Sequence, residues 1–203
     1  MKLPHQLNHI VLETYFKDPL EFEARYVYGL SKKEPYKRFV KEIHKMGDAY
    51  DDASYDAYDD AIFWHYQKQR IQEALKMPIM KKQITISLIS DLRSDLRSEQ
   101  RSHELTQIID HHYDNVVVCM GAYEAPSQKS LRNFQSLQLI LCGYCFEKKE
   151  SVVLDHLEYW HLKGYKDIIE KVVYPRTLID EVMGQLKNIL NLKDDVILQQ
   201  NAL

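Results

Sequence analysis

Only six glycines and six prolines punctuate the 203 residues. Chain reversals in an all-β protein draw heavily on both, because Gly enters left-handed backbone without steric cost and Pro presets φ for a turn. Scarcity of both points to helices joined by few turns. The expected fold class is therefore mainly α, a multi-helix single domain over residues 1–203. A variant of that expectation is α+β, with a small sheet from residues 83–90, 115–120 and 137–142. Hydrophobic residues at 45% and charged residues at 28% suffice for an ordinary core, so the composition does not call for disorder.

Apolar spacing predicts helices at 5–17, 19–29 (opened by Pro19 and closed at Gly29), 31–47 and 56–77. Ser31 with Glu34 has capping-box spacing. Residues 83–90 alternate apolar and polar, as a half-buried strand does. Residues 131–147 suit a buried helix as well as a strand. Helices are expected again at 151–162, 165–173 and 176–191, the last with Leu178, Val182, Leu186 and Ile189 on one stripe.

An octapeptide beginning at Asp48 recurs at Asp56 and supplies Asp48, Asp51, Asp52, Asp56, Asp59 and Asp60. Asp52, Ser54, Asp56, Tyr58 and Asp60 fall at alternate positions, as calcium ligands do in an EF-hand loop. The turn position that needs Gly holds Ala57, however, and the bidentate Glu position holds Phe63. Lys37, Lys41 and Lys45 form a helical row that complements Asp52, Asp56 and Asp60, which favours a charge-paired helical hairpin.

Residues 91–105 repeat with a period of four. Read as a helix, they stack Arg93, Arg97 and Arg101 in one row and Asp91, Asp95 and Glu99 in another. Like charges four apart cost a helix about 0.2–0.5 kcal/mol each, so compensation must come from outside it. A protein partner, or other helices of the same fold, fits both rows. The acidic row and a net charge of −3 disfavour nucleic acid. Fourteen tyrosines add ring surface that can pack while the hydroxyl stays wet. The expected function is a non-enzymatic protein–protein interaction module, an adaptor or chaperone-like helical protein, with those six charged residues binding the partner.

A second reading starts from Asp110-His111-His112. This triplet resembles the motif of the DHH phosphoesterases, in which a strand ends in Asp-His-His and the ligands hold divalent metals. The resemblance implies a metal-dependent phosphoesterase-like hydrolase using Asp110, His111 and His112, with Asp91 after the 83–90 run as a further metal-binding carboxylate. In the helical reading the same residues end a 91–112 helix.

Cys142-Gly-Tyr-Cys145 is similar to the redox pair of thioredoxin-like proteins. With His156 and His161 it also follows the Cys-Cys/His-His order of a zinc site, with Cys119 as a substitute ligand. Buried thiols that simply fill the core explain the same residues. Glu158 and His161 have the Glu-x-x-His spacing of di-iron carboxylate bundles, which need two such motifs where this chain has one. No cofactor is expected; zinc or another divalent metal is the alternative. The odd number of cysteines, without a signal sequence ahead of them, suggests a reducing, cytoplasmic setting. No apolar run reaches the roughly 18–20 residues that span a bilayer, so membrane insertion is not expected.

Overall fold

The computed structural model of the chain describes residues 3–27, 29, 81–94, 97–121, 124–161 and 170–194, with the backbone alone at 91–94 and 97–99. The expected helices at 31–47 and 56–77, the calcium-like loop and the charge-paired hairpin lie outside the described residues.

The elements run β1 (Gln6–Leu7), α1 (His9–Lys17), α2 (Pro19–Phe22), a wide π-type turn (Glu23–Val27), β2 (Lys82–Ser94), β3 (Arg97–Ile109), β4 (His111–Tyr113) and β5 (Val116–Gly121). They continue with α3 (Gln128–Arg132), α4 (Gln138–Glu150), β6 (His156–His161), β7 (Glu170–Pro175), α5 (Thr177–Leu190) and β8 (Leu192–Asp194). The strands form two four-stranded sheets, ordered β1-β3-β2-β8 and β4-β5-β6-β7. Both are mixed, because β1 is parallel to β3 and β5 is parallel to β6, whereas the other neighbours are antiparallel.

This α/β architecture overturns the mainly α expectation and its small-sheet variant. Two strands of thirteen residues each need one connection between them, so a low count of Gly and Pro is compatible with extensive sheet. Residues 91–94 and 97–105 are strand rather than helix. The expected helix at 151–162 is replaced at its end by β6, and residues 170–173 belong to β7. Residues 137–142, offered as a strand, instead open α4, with Leu139 to Phe146 buried on every side.

The helix expected at 5–17 begins only at His9, after β1, and the one expected at 19–29 is α-helical only to Phe22, before the π-type turn; local chemistry sets both starts. The Asn8 side chain caps α1 by accepting from the Val11 N–H (3.0 Å), and Asp18 caps α2 through the Glu21 N–H (3.0 Å). In β2, Ile84, Ile86, Leu88 and Ser90 are buried at alternate positions. Their register with β3 puts His103, Leu105 and Gln107 on the same face. In α5, Leu178, Val182 and Leu186 face inward as the stripe requires, but Ile189 is exposed and Leu190 is buried in its place.

α4 crosses between the parallel strands β5 and β6 and also packs on β2, β3 and α5, so buried residues of both sheets share one core. α4 lies close against its neighbours at Gly143. A Cβ there would lie 2.5 Å from Leu157 Cδ2 and 2.8 Å from Ile179 Cδ1. Packing therefore accounts for the glycine between the two cysteines. Phe134 holds left-handed backbone (φ 59°) while its ring stacks on Phe16 at 4.4 Å.

Candidate functional site

The Asp-His-His triplet sits at a corner. β3 ends at Ile109, Asp110 makes a bend, and β4 begins with His111. Asp110 accepts a hydrogen bond from the Met120 N–H (2.9 Å) and lies 3.6 Å from the Lys81 ammonium, tying the corner to the end of β5. Burial raises its pKa, against the pull of that N–H and of Lys81. Neighbouring strand residues project to opposite faces, which separates the two imidazoles. His111 is buried near Trp160 (5.9 Å between rings) and Tyr113 (6.1 Å), whereas His112 packs against Phe146 (5.2 Å). Burial, then the neighbouring His112 and Lys171, lower the pKa of His111.

Asp91 does not join them. Its register partner is Gln100, ten positions up β3 from Asp110, or roughly 33 Å along an extended strand. The four residues of the hydrolase reading are thus not brought together.

The zinc-like set is also dispersed. Cys142 and Cys145 are buried in α4, where the Cys142 thiol faces the Ile108 carbonyl (3.5 Å) and the Gln107 side-chain oxygen (4.0 Å). The contact with the Cys142 sulfur, together with burial, raises the Cys119 pKa, and burial pushes the Cys145 thiol up as well. His156 and His161 begin and end β6, five positions apart and on opposite faces. The same alternation separates Glu158 from His161, because the Glu-x-x-His pairing requires a helix. Among the described residues, no group of three or more His, Cys, Asp and Glu side chains stands within reach of one metal ion.

Glu158 instead centres a buried polar network that spacing alone did not reveal. Its carboxylate accepts hydrogen bonds from Tyr113 Oη (2.7 Å), Trp160 Nε1 (2.6 Å) and His156 Nε2 (3.2 Å). Burial would raise its pKa, but these bonds together hold it below the usual carboxylate value. Burial and the bond to Glu158 push Tyr113 up to about 12. The Lys171 ammonium lies 4.3 Å from the centre of the Trp160 ring and extends the cluster.

A second buried pair joins different strands. Ser90 Oγ lies 2.7 Å from His103 Nε2, and His103 Nδ1 lies 2.7 Å from the Pro4 carbonyl. The carbonyl can only accept, so Nδ1 carries the proton and Nε2 receives the Ser90 hydroxyl. This is the hydrogen-bond order of a nucleophile with its base, yet both residues are buried. Here it braces β1, β3 and β2.

Two further features of the described residues bear on function. The first is the distal part of the β2–β3 hairpin. β8 pairs with β2 at Leu88–Ser90 and β1 pairs with β3 at Glu104–Leu105. From Asp91 through Ser94 the β2–β3 pairing runs on with no third strand among the described residues. Asp91, Arg93, Arg97 and Glu99 lie on this ribbon, Arg101 stands at its base opposite Ser90, and Asp95 lies outside the described residues. The second is a cleft of about 480 Å³ between residues 124–128 and β7, with Glu124, Pro126, His161, Glu170, Val172 and Tyr174 among its walls.

No protein-family model, curated protein or solved structure matches the chain. No helix of the described residues is long and apolar enough to cross a membrane.

Proposed function

We propose that the chain is a non-enzymatic protein-interaction module that presents the β2–β3 ribbon to a protein partner, in the manner of an adaptor or chaperone. The observation that carries this reading is the ribbon's extension past both flanking strands. Four further residue pairs, Asp91–Gln100 to Ser94–Arg97, continue for about 13 Å. A two-stranded ribbon is marginally stable by itself, so a segment of this kind gains order from what it docks against. Its mixed charges discourage edge-to-edge aggregation while leaving salt-dependent complementarity for a chosen partner. The three thiols, none in a disulfide, fit a cytoplasmic protein.

The test is affinity purification from the native host with quantitative mass spectrometry. Wild type is compared with a variant carrying Arg93→Glu, Arg97→Glu and Arg101→Glu. The reading requires at least one specific partner to fall several-fold in the variant. Recovery of the same proteins in the same amounts by both would reject it.

A further inference from the structure

The edge of β2 carries a short strand held by two side chains. β8 covers that edge for three residues, pairing Leu192 with Ser90, Lys193 with Ile89 and Asp194 with Leu88. Alternation puts Leu192 and Asp194 on one face and Lys193 on the other. Leu192 is buried in the core, whereas Lys193 is exposed. The Asp194 carboxylate reaches two helices. It accepts from the Tyr144 hydroxyl and from Lys148 Nζ (3.0 Å) of α4, and from Lys187 Nζ (2.9 Å) of α5. Both ammoniums also lie over the Tyr144 ring, Lys148 at 5.6 Å and Lys187 at 4.6 Å from its centre. Tyr144, Lys148 and Lys187 thus form a seat for one carboxylate, two strand positions away from the apolar socket that Leu192 fills. A strand of three residues makes few ladder bonds, and its ion pairs are partly exposed, so β8 is held weakly.

We propose that the Leu88–Ser90 edge of β2 is a docking site for an extended segment of another protein with the pattern apolar-x-acidic, and that β8 is its resident competitor. The apolar residue takes the socket of Leu192, and the carboxylate two positions on takes the seat of Tyr144, Lys148 and Lys187, while main-chain bonds add the segment to the sheet. The residue between them faces away, as Lys193 does. β8 is joined to α5 through Asn191 alone, so its local concentration at the edge is high and an outside segment binds weakly until β8 is loosened. A second copy of this chain is the poorer occupant. Its β8 already lies on its own β2, so exchange adds no contact to offset the cost of association. The site goes beyond the ribbon reading and does not rest on it, because docking at Leu88–Ser90 uses none of the ribbon's charged residues.

The test uses three fluorescein-labelled, amidated peptides that share a Thr-Ser-Thr-Ser lead and end in Leu-Lys-Asp, Leu-Lys-Asn or Ala-Lys-Asp, titrated into the full chain with fluorescence anisotropy as the readout. Asp194→Ala empties the seat, so the Leu-Lys-Asp peptide is expected to bind this variant at least fivefold more tightly than it binds wild type. It should also bind the variant at least fivefold more tightly than either control peptide does, and Asp194→Asn should give the same ranking. Adding Lys148→Gln to Asp194→Ala should weaken Leu-Lys-Asp at least threefold and leave Leu-Lys-Asn unchanged. Hydrogen exchange on the same samples reports the place: amides of Leu88–Ser90 should exchange faster in Asp194→Ala and slow again with peptide, while Ile84–Ile86 stay protected. Equal binding of Leu-Lys-Asp and Leu-Lys-Asn would overturn the proposal, as would unchanged affinity in both Asp194 variants or peptide protection confined to other strands. Sedimentation of wild type as a dimer that Asp194→Ala dissociates would also overturn it, since a second copy would then supply the strand.

Discussion

Substituting Gly143 tests whether α4 is clamped between β6 and α5. In an unobstructed helix interior, Gly→Ala stabilises by about 1 kcal/mol, because Ala loses less backbone entropy on folding. Gly184 in α5 provides that case, since a Cβ there meets nothing within 4 Å. At Gly143 the added carbon would overlap Leu157 Cδ2 at 2.5 Å and Ile179 Cδ1 at 2.8 Å, and it would touch Leu154 Cδ1 at 3.4 Å. All three neighbours are buried, so they have little room to yield. Overpacking costs about 1–3 kcal/mol, which outweighs the helical gain and leaves Gly143→Ala about 1 kcal/mol destabilised. Gly184→Ala should be stabilised by a similar amount. For a domain of this size each change corresponds to about 2–4 °C in Tm, in opposite directions. Leu157→Ala removes the main obstacle, so Gly143→Ala in that background should become neutral or stabilising. Urea unfolding of the four proteins in the cycle would then give a coupling energy of about 1–3 kcal/mol. Equal stabilisation at both glycines, with no coupling to Leu157, would refute the clamp.

Glu158→Gln should cost about 2–3 kcal/mol at pH 7, because the charge that three donors share is lost. The folded-state pKa is depressed, so the contribution of Glu158 is complete above its unfolded value and disappears as pH falls through the folded one. Acid denaturation followed by circular dichroism should consequently flatten below about pH 4.5 in the variant, and a wild-type-like slope would count against the network. Asn191 ends α5 in left-handed backbone (φ 51°), so Asn191→Gly should be neutral to about 1 kcal/mol stabilising by thermal melting, whereas Asn191→Val should be destabilising.

How far the sequence could be read depended on which periods it left ambiguous. A repeat of four lies close to the helical period of 3.6 and is also a multiple of the strand period of two. The Arg and Asp rows of 91–105 therefore mark either element, and propensity alone did not separate them. The alternation His103, Leu105, Gln107, Ile109 is the signal of β3, but two of its buried members are polar, so these residues read as part of a 91–112 helix. Gln107 is a costly one, since its Nε2 has no hydrogen-bond partner among the described groups. β6 was legible in principle, because Leu157, Tyr159 and His161 alternate with Glu158 and Trp160, and aromatic residues favour sheet. The 83–90 strand and the 176–191 helix were clearer because each has one apolar face at a single period. The polar sites were another matter. Ser90 with His103, and Glu158 with Tyr113, meet through strand register, which no motif of adjacent residues encodes.

The bond between His103 Nδ1 and the Pro4 carbonyl also sets a timing condition on synthesis. The two residues are 99 positions apart. A ribosome adding 5–20 residues per second makes His103 about 5–20 s after Pro4. Over that interval the start of the chain has neither β3 to lie beside nor the imidazole that anchors it. The residues around β1 thus wait for a partner made well after them, and the β1 edge is completed only once β3 has been translated.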